Sequence, residues 1–596
     1  MLNLKKLFKI LSYHEQKKAF LVTLFILISG LLDVLGVASI IPLVAILTNP
    51  DIVQTNLLFN KIYKFFDFNS PQIFLFFVGV SYFIFFMLTM LVKTFSIYLQ
   101  FNFSLKCEAT IGKRLLQNYL NKPYIWFIDH HSSNLAKNIL SSVNQVIYQA
   151  LIPVFTIISQ SIIVILIIIL LVFIDPKLTF IIGSITTIIY GIVYLSFSNQ
   201  LSIKGLERTK NDTKRYTAIN NALNSIKEAK IGKLENFFVN NFSKFAKNFA
   251  KNQSDALIIG QLPRYIFEAI AFGGLLLIIL YLMRQSADFS SILPIISLYA
   301  FAGYRLMPAL QQLYASFTSL RFANASINAV YVDNEQLEIN FNNHQETKLD
   351  FKKEFSLEDV VYQYPQSLKV NIKNISVKIP VNTTTGIIGP TGSGKTTFIN
   401  LITGLIQPQS GILKVDNTII DKDNFALWQN QIGYVPQQIF LIDDTLSSNI
   451  AFGVEPNSID YAAVVRASKI ANLHNFVLEE LPAKYDTIIG ERGVRLSGGQ
   501  RQRIGIARAL YNNPNVLIFD ESTNSLDNLT EQVIIEALNN LSSQVTIIII
   551  SHRTKTIENC NQIFLMDQGK IIANGSYDQL CKSSKEFNKF ISLEVK

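Results

Sequence analysis

Residues 385–396 read Thr385-Gly-Ile-Ile-Gly-Pro-Thr-Gly-Ser-Gly-Lys-Thr396, a motif that predicts an α/β nucleotide-binding fold for the C-terminal half of the chain. An apolar strand runs into the spacing Gly-x-x-x-x-Gly-Lys-Thr, and an apolar, helix-like segment follows. Such a P-loop closes its backbone N–H groups round phosphate at a helix N-terminus, where Lys395 adds positive charge and Thr396 is placed to hold Mg²⁺. A plain glycine-rich turn is the alternative. We predict that nucleotide phosphates bind here, through Gly389, Pro390, Thr391, Gly392, Ser393, Gly394, Lys395, Thr396 and Thr397.

A second candidate site lies at the end of another apolar strand, Val516-Leu-Ile-Phe-Asp520. The Asp520 carboxylate suits the aspartate that positions Mg²⁺ in P-loop ATPases, and Glu521 is placed to polarise the attacking water. Four apolar residues followed by Asp-Glu are a weak signal alone, because a core strand that ends in acidic residues explains them equally well. The order of the motifs around this strand strengthens the prediction.

The segment Leu496-Ser-Gly-Gly-Gln500 lies between these two motifs and is followed by Arg501-Gln-Arg503. At this point the chain resembles the ATP-binding cassette family, and further family elements follow in the family's order. The resemblance implies that Tyr364 stacks on adenine, that Gln437 links Mg²⁺ to the membrane domain and that His552 contacts the γ-phosphate.

The same resemblance assigns the D-loop to Asn524-Ser-Leu-Asp527, with Asn524-Ser525 in place of the usual Ser-Ala. In this family the signature loop of one subunit completes the phosphate site of the other, and this chain has one cassette. The prediction is a homodimer with two intact sites, and a different partner of equal size is the alternative. The implied cofactors are ATP and Mg²⁺. The implied metal ligands are Thr396, Gln437 and Asp520, the catalytic residues are Glu521, His552 and Gln437, and the further ATP-binding residues are Tyr364, Ser497, Gly498, Gly499, Gln500 and Asp527.

Composition divides the chain into two unlike halves. Hydrophobic residues make up 49% and charged residues 16% of the 596 residues, which excludes a wholly soluble, disordered or fibrous protein. Residues 1–330 hold 29 Lys and Arg against 14 Asp and Glu, so the net charge of +10 comes from the apolar half. Because these positive charges are interleaved with apolar runs, we expect them to set the orientation of membrane helices. No nucleic-acid partner is expected, since the charges are not gathered on a soluble module. The Cys and His spacings predict neither a zinc site nor a disulfide framework.

Six apolar stretches reach the length of about 20 residues that a spanning helix needs, at 19–48, 72–100, 147–174, 177–198, 256–283 and 290–312. The connections 101–146 and 199–255 and the N-terminal stretch are rich in Lys and Arg, which places both termini and the ATPase domain in the cytoplasm. We therefore predict a multidomain chain. An all-α, six-helix transmembrane exporter domain at 1–325 is fused through a linker at 326–354 to an α/β P-loop nucleotide-binding domain at 355–596.

The order of the domains resembles the exporter class of these transporters, as does the X-loop-like segment Gly490-Glu-Arg-Gly493. An importer or a cassette protein without transport activity is the rival class, which the fusion of spans to a cassette disfavours. Segments 124–129 and 222–227 are predicted to be coupling helices that dock on the cassettes. Simple amphipathic loop helices are the alternative.

Charges inside the predicted spans guide the choice of substrate, because a charge in the bilayer is costly unless it is paired or used. Lys93, Arg264, Glu268 and Arg305 lie in such positions. In one interpretation Arg264 and Glu268 form a helical ion pair and Lys93 extends to the membrane surface. In the other, Arg264 and Arg305, together with Lys93, bind a phosphate or diphosphate head group.

The outer segment 56–66 places Leu58, Ile62, Phe65 and Phe66 on one helical face, as in an interfacial helix, although a solvated loop with one anchor is the alternative. With segments 263–268 and 304–308, it resembles the bacterial lipid-linked oligosaccharide flippases of the PglK type. That resemblance implies a multi-pass protein of the bacterial inner membrane. It would use ATP to move polyprenyl-diphosphate oligosaccharide from the cytoplasmic to the outer leaflet for protein glycosylation. Alternative substrates are a lipid A-like lipid, a peptide or a hydrophobic drug.

Overall fold

The chain divides into a helical unit and a unit built on two β-sheets. The computed structural model describes residues 4–39, 46, 53, 57–68, 70–174, 176–285, 289–335, 349–365, 367–490, 493, 496–521, 544–551 and 553–594. The first unit comprises Met1–Lys122 and Trp126–Asn340, and the second comprises Pro123–Ile125 and Phe341–Lys596.

Long helices build the first unit. In chain order the helices up to the sheet unit are α1 Leu4–Ile10, α2 Tyr13–Ala38, α3 Leu57–Phe65, α4 Pro71–Leu120, α5 Tyr124–Asp129, α6 Ser132–Lys137, α7 Val143–Val146, α8 Ile152–Ile174, α9 Pro176–Asn224, α10 Ile226–Ile231, α11 Glu235–Gln285, α12 Phe289–Phe322 and α13 Asn324–Glu335. Two π-helical turns, Asn138–Ser142 and Ile147–Leu151, join α6, α7 and α8 into one continuous rod. The helical rods of 49 to 51 residues in α4, α9 and α11 run well beyond the length of about 20 residues that crosses a bilayer.

Three helical segments among the described residues are long and apolar enough to cross a membrane, Tyr13–Gly36, Gln72–Leu120 and Ser132–Phe173. The stretches predicted at 177–198, 256–283 and 290–312 lie within α9, α11 and α12. Part of the first predicted span, at 40–45 and 47–48, lies outside the described residues. The helical character expected for this half of the chain is confirmed.

Helix α13 extends the helical unit into the segment that the sequence analysis assigned to a linker. Ile327 and Val330 on this helix are buried in a cluster with residues of α1, α2, α4 and α8, which explains why the chain stays helical there. Asn138 Nδ2 donates to Asp333 Oδ2 over 2.7 Å and holds the end of α13 to the first π-helical turn. Residues 336–348, the centre of the predicted linker, lie outside the described residues.

Strands and short helices alternate in the second unit. Its strands are β1 Glu354–Tyr362, β2 Ile372–Pro380, β3 Thr384–Ile388, β4 Ser410–Val415, β5 Thr418–Ile419, β6 Ile432–Val435, β7 Val516–Asp520, β8 Thr546–Ile550, β9 Gln562–Asp567 and β10 Lys570–Gly575. Its α-helices are α14 Lys395–Ile402, α15 Phe425–Gln429, α16 Leu446–Ile450, α17 Tyr461–Ile470, α18 His474–Glu479, α19 Gly498–Leu510, α20 Thr554–Ile557, α21 Tyr577–Ser583 and α22 Lys585–Glu594.

Two sheets organise the described strands of this unit. An antiparallel sheet has the order β2-β1-β4-β5, and the second has the order β10-β9-β3-β8-β7-β6, in which only the β10–β9 pairing is antiparallel. Strands β3 and β8 are buried at every residue, which is why they are continuous apolar or small-residue runs without alternation. Since parallel strands end at the same edge, the loops after β3 and β7 open on one side of the sheet.

The core between the antiparallel sheet and α14 is anchored by Trp428. Its ring is fully buried and stacks on Phe355 with 5.0 Å between ring centroids and 2° between ring planes. The indole Nε1 donates to the Ile402 carbonyl over 2.7 Å and thereby satisfies the last turn of α14. The helix that follows the P-loop is thus fixed at its C-terminal end.

Candidate functional site

The P-loop leaves β3 at Ile388 and enters α14 at Lys395. Its glycines Gly389, Gly392 and Gly394 have φ of 152°, 81° and 108°, values that side chains with a Cβ rarely adopt. A Cβ added to Gly389 would lie 2.1 Å from the Met566 carbonyl oxygen, so glycine is required there for packing as well. The predicted loop therefore has the backbone geometry of a phosphate cradle.

Lys395 is held inside this loop. Its Nζ donates to the carbonyl oxygens of Gly389, over 2.8 Å, and Pro390, over 3.1 Å. Burial lowers the pKa of Lys395, and the charges of Glu521 and Asp520 oppose that shift. The nearby Ser393 hydroxyl is buried and has no hydrogen-bond partner among the described residues. A phosphate oxygen at this loop would satisfy both the ammonium and the hydroxyl, so the residues present fit an ATP phosphate chain.

The acidic pair lies at the end of β7. Tyr434 on the neighbouring strand β6 donates its hydroxyl to Asp520 Oδ2 over 2.9 Å. Burial raises the pKa of Asp520 above its ordinary value; the Tyr434 hydrogen bond and Lys395 oppose the shift, and Glu521 adds to it. The motifs in the sequence did not identify Tyr434, because the pairing of β6 with β7 is a tertiary property.

Glu521 follows this strand in a left-handed backbone conformation, with φ of 48°, and its N–H donates to the Ile550 carbonyl over 3.1 Å. Gln437 Nε2 donates to Glu521 Oε2 over 2.9 Å. The two residues that the sequence analysis named separately are thus joined. A carboxylate held in this way is suited to accept the proton of an attacking water.

The predicted metal ligands also have suitable chemistry. The hydroxyl of Thr396, the amide oxygen of Gln437 and the carboxylate of Asp520 are oxygen donors, which Mg²⁺ prefers, and Mg²⁺ sites commonly use one or two carboxylates together with substrate phosphates. Thr396 is exposed at the start of α14. The donor set fits an ion held between the loop and the nucleotide.

The signature segment forms the start of α19. Ser497 is the N-cap residue: its Oγ accepts from the Gln500 N–H over 3.1 Å, while Gln500 Oε1 accepts from the Ser497 N–H over 2.7 Å. Gly498 and Gly499 stand between them at the partly exposed first turn. This reciprocal cap pre-orients a helix N-terminus that attracts anions.

Other predicted ATP-site residues are only partly described. Tyr364 follows β1, half-buried, with its N–H donating to Asn371 Oδ1 over 3.2 Å and its ring set edge-on against Tyr362. Gly490 and Gly493 of the X-loop-like segment both have positive φ, of 75° and 62°. Predictions for His552, for Asp527 with the rest of the D-loop, and for residues 491–492 lie outside the described residues.

In the helical unit, the charged residues pair only partly as the sequence analysis expected. Lys93 Nζ lies 2.8 Å from Asp33 Oδ2, and Arg305 Nη1 lies 2.9 Å from Asp33 Oδ1. Arg264 pairs with Glu268 on its own helix, Nε to Oε1 over 3.0 Å, as one of the two interpretations predicted. Lys93 and Arg305 are thus brought together by their shared partner, Asp33. Lys93 forms an ion pair with Asp33, whereas one interpretation predicted that it extends to the membrane surface. Asp33 was missed, although an acidic residue within an apolar run was a readable signal.

Helix α3 matches part of the predicted outer helix. Phe59 and Tyr63 pack against Phe74 with ring centroids 6.5 Å and 5.6 Å apart. Leu57 is 79% and Phe65 82% exposed. The helix thus packs through one face and keeps large apolar side chains uncovered on another, whereas the side chain of Leu58 lies outside the described residues.

Two family models match the chain. The model for the ABC transporter transmembrane region matches residues 20–311, and the model described as ABC transporter matches residues 372–524. The second match contains the P-loop, Gln437, the signature segment and the acidic pair. The two models therefore cover the helical unit and the P-loop unit separately.

Curated relatives match over part of their length. Proteins named ATP-dependent lipid A-core flippase from Coxiella burnetii and Desulfotalea psychrophila are 41% identical over 221 residues and 39% identical over 244 residues. These matches cover 37% and 41% of this chain and 37% and 42% of those proteins. ABC transporter B family member 15 of Arabidopsis thaliana is 42% identical over 223 residues, 37% of this chain and 18% of that protein. The chain thus matches well under two thirds of each relative.

One solved structure matches over nearly the whole chain. The structure of a bacterial Atm1-family ABC exporter with ATP bound has a TM-score of 0.78 and covers 98% of both chains, at 19% sequence identity. At that identity the match establishes a shared fold. The predicted fold class, a helical membrane domain fused to an α/β ATPase domain, is confirmed.

Proposed function

This chain is an ABC transporter with a transmembrane region and an ATP-binding domain, and we propose that it works as an ATP-driven exporter of a lipid-linked substrate. The observation that carries the proposal is the joined ATPase site. Lys395 lies in the P-loop, Tyr434 holds Asp520, and Gln437 holds Glu521, all at one edge of the parallel sheet. A helical unit with the exporter fold belongs to the same chain.

Different residues of the chain have different roles in ATP hydrolysis. Backbone N–H groups of the P-loop and the Lys395 ammonium bind the phosphates. Glu521, held by Gln437, orients the attacking water and accepts its proton. When bound, Mg²⁺ supplies charge that neutralises the β- and γ-phosphates, and Thr396, Gln437 and Asp520 would hold it. His552 is proposed to contact the γ-phosphate by the family resemblance.

We further propose that the working unit is a homodimer. The capped N-terminus of α19 is partly exposed. The P-loop of the same chain is a different segment, which joins β3 to α14. In the family pattern, this N-terminus completes the phosphate site on the second copy, with Ser497 and the two glycines after it as the contacts. Two copies would then close on two ATP molecules.

The lipid-linked substrate is the finer part of the proposal. Lys93 and Arg305 converge on one carboxylate inside the predicted spans, which is an arrangement suited to an anionic head group, while Arg264 is a weaker third candidate because Glu268 already pairs with it. The uncovered Leu57 and Phe65 support contact of α3 with lipid tails. We favour polyprenyl-diphosphate oligosaccharide, moved from the cytoplasmic to the outer leaflet.

A lipid A-like lipid is the second candidate substrate, since two relatives are named lipid A-core flippases. Both candidates carry phosphate groups on lipid, so the charge cluster suits each of them. The same relatives support a location in the bacterial inner membrane. The cytoplasmic position of both termini and of the ATPase domain rests on the distribution of Lys and Arg.

Transport would be coupled to the cassettes through short cytoplasmic helices. Along the chain, helix α5, Tyr124–Asp129, lies between the long helix α4 and the α6–α8 rod. Helix α10, Ile226–Ile231, lies between α9 and α11. The predicted coupling segment 124–129 coincides with α5, whereas the predicted segment 222–227 covers the end of α9 and only the first two residues of α10.

Flipping by the purified protein in proteoliposomes tests the proposal. The substrates are a fluorescent polyprenyl-diphosphate oligosaccharide, a lipid A analogue and a neutral dye, each with and without ATP. Transfer of the diphosphate lipid is expected in the wild type and absent in Glu521→Gln, which still binds ATP. Transfer of the lipid A analogue alone would select the second candidate, and ATP hydrolysis with transfer of only the dye would contradict a lipid-linked substrate.

A further inference from the structure

Three helices of the membrane region meet at one buried carboxylate. Asp33 lies on α2, Lys93 on α4 and Arg305 on α12, and the Asp33 side chain is 6% exposed, against 34% for Lys93 and 20% for Arg305. The Arg305 guanidinium also lies 6.0 Å from the Phe86 ring centroid. Asp33 is thus the most buried residue of the three, and Lys93 and Arg305 are more accessible.

The charges of this cluster do not cancel. One carboxylate faces two cations, which leaves one positive charge in a region where an unpaired charge is expensive. Asp33 contacts a single nitrogen of each cation, whereas Lys has three N–H donors and Arg five. Although Asp33 Oδ1 lies 2.9 Å from Arg305, it has no aligned hydrogen bond among the described residues. The contact with Arg305 is therefore an ion pair without an aligned hydrogen bond, and a better-aligned anion can compete for it.

We propose that Asp33 is the resident counter-ion of the head-group site and competes with the substrate for Lys93 and Arg305. This inference rests on the proposed function, whose head-group site it deepens. An anionic head group with more than one negative charge takes over both cations, because it offers more charge and more acceptor oxygens to their N–H donors than one carboxylate does. When the head group leaves, Asp33 pairs with the cations again and lowers the cost of the empty state.

Competition of this kind sets the class of ligand. A lipid that carries one carboxylate gains nothing by displacing Asp33, because it offers the same charge as the group that it replaces. A diphosphate offers more charge and more acceptor oxygens, including the bidentate geometry that Arg prefers. The cluster therefore selects phosphate-rich head groups against both neutral lipids and fatty acids.

Binding to the full-length protein in detergent tests the competition with three probes that share one apolar chain: farnesyl diphosphate, farnesoic acid and farnesol. The wild type is expected to bind the diphosphate at least about tenfold more tightly than the other two probes, which corresponds to one desolvated charge interaction. Asp33→Asn keeps the shape and removes the competing charge. It should bind the diphosphate about tenfold more tightly still and should also gain affinity for farnesoic acid, with farnesol unchanged.

Asp255→Asn is the matched control, because Asp255 pairs with Lys204 over 2.5 Å between α9 and α11. It should leave all three dissociation constants unchanged. An Asp33→Asn protein with unchanged or weaker diphosphate binding would overturn the counter-ion role. Should that variant fail to fold, the wild-type comparison decides: equal affinity for farnesyl diphosphate and farnesoic acid overturns the proposal, and a strong preference for the diphosphate supports it.

The two proposals fail separately. Lipid transfer by the wild type in proteoliposomes, with Asp33→Asn binding the diphosphate no better, would remove the counter-ion role and leave the transport function intact. The expected binding pattern without any lipid transfer would keep the counter-ion role and remove the flippase function.

Discussion

Gln437 and Glu521 are 84 residues apart in the chain and are joined by a hydrogen bond of 2.9 Å from Gln437 Nε2 to Glu521 Oε2. Glu521 needs this support because it stands one residue beyond the end of β7, in a left-handed backbone conformation. The amide of Gln437 therefore orients the carboxylate that we propose as the general base.

Gln437→Ala should lower ATP hydrolysis by about 10- to 100-fold, since a general base loses most of its efficiency when its orientation is lost. ATP binding should change little, because the P-loop is intact. Turnover and nucleotide affinity of the purified protein measure the two effects separately. Gln429→Ala is the control, as the Gln429 side chain donates to the Thr403 carbonyl, away from the acidic pair. Equal hydrolysis by Gln437→Ala and the wild type would contradict the role.

Tyr434→Phe should move the acidic limb of the ATPase pH profile to higher pH. Burial already raises the pKa of Asp520, and the Tyr434 hydrogen bond holds it down, so its loss raises the pKa further. Protonated Asp520 no longer suits Mg²⁺, and activity would be lost from a higher pH as the solution is acidified.

The pH profile of hydrolysis at saturating ATP and Mg²⁺ tests this shift. Tyr461→Phe serves as the control, because Tyr461 also donates to a carboxylate, Asp486, but at an exposed position outside the ATP site. An unshifted acidic limb in Tyr434→Phe would show that this hydrogen bond does not control Asp520.

Gly389→Ala should abolish ATP binding. The added Cβ would lie 2.1 Å from the Met566 carbonyl oxygen, and the backbone φ of 152° disfavours any residue but glycine. The loop must move out of its phosphate-binding shape to relieve the contact. Fluorescent nucleotide binding measures the loss. Gly183→Ala is the control, since a Cβ there meets no described atom within 4 Å; retained affinity in Gly389→Ala would contradict the requirement for glycine at this position.

Trp428→Ala should destabilise the ATPase unit by about 3–5 kcal/mol, the usual cost of removing a large buried aromatic side chain. The variant loses the stacking on Phe355 and leaves the Ile402 carbonyl without its indole donor. Thermal unfolding of the full-length protein, followed with and without ATP, detects the change. Trp428→Phe should lose less stability than Trp428→Ala, because it keeps an aromatic ring in the site. An unchanged unfolding temperature in both variants would contradict the stabilising role of Trp428.

Local sequence alone identified the candidate nucleotide site. A P-loop is a short run whose glycines and lysine act through their own backbone, so Gly389 to Thr396 carry their function in their spacing. Ser497 and Gln500 likewise form their cap across three residues of one helix. Assignments for His552 and Asp527 stay predictions, as do the domain boundaries and the homodimer.

Short motifs and apolar run lengths therefore predicted the fold class, which is confirmed, and the candidate ATP-site residues, because they report backbone geometry and burial directly. Only the tertiary structure decided the partners of the ionisable groups. Tyr434 meets Asp520 because β6 pairs with β7, and Asp33 meets Lys93 and Arg305 because three separate helices pack together. Charge pairing is set by distance in space, which spacing along the chain does not specify for residues on different helices or strands.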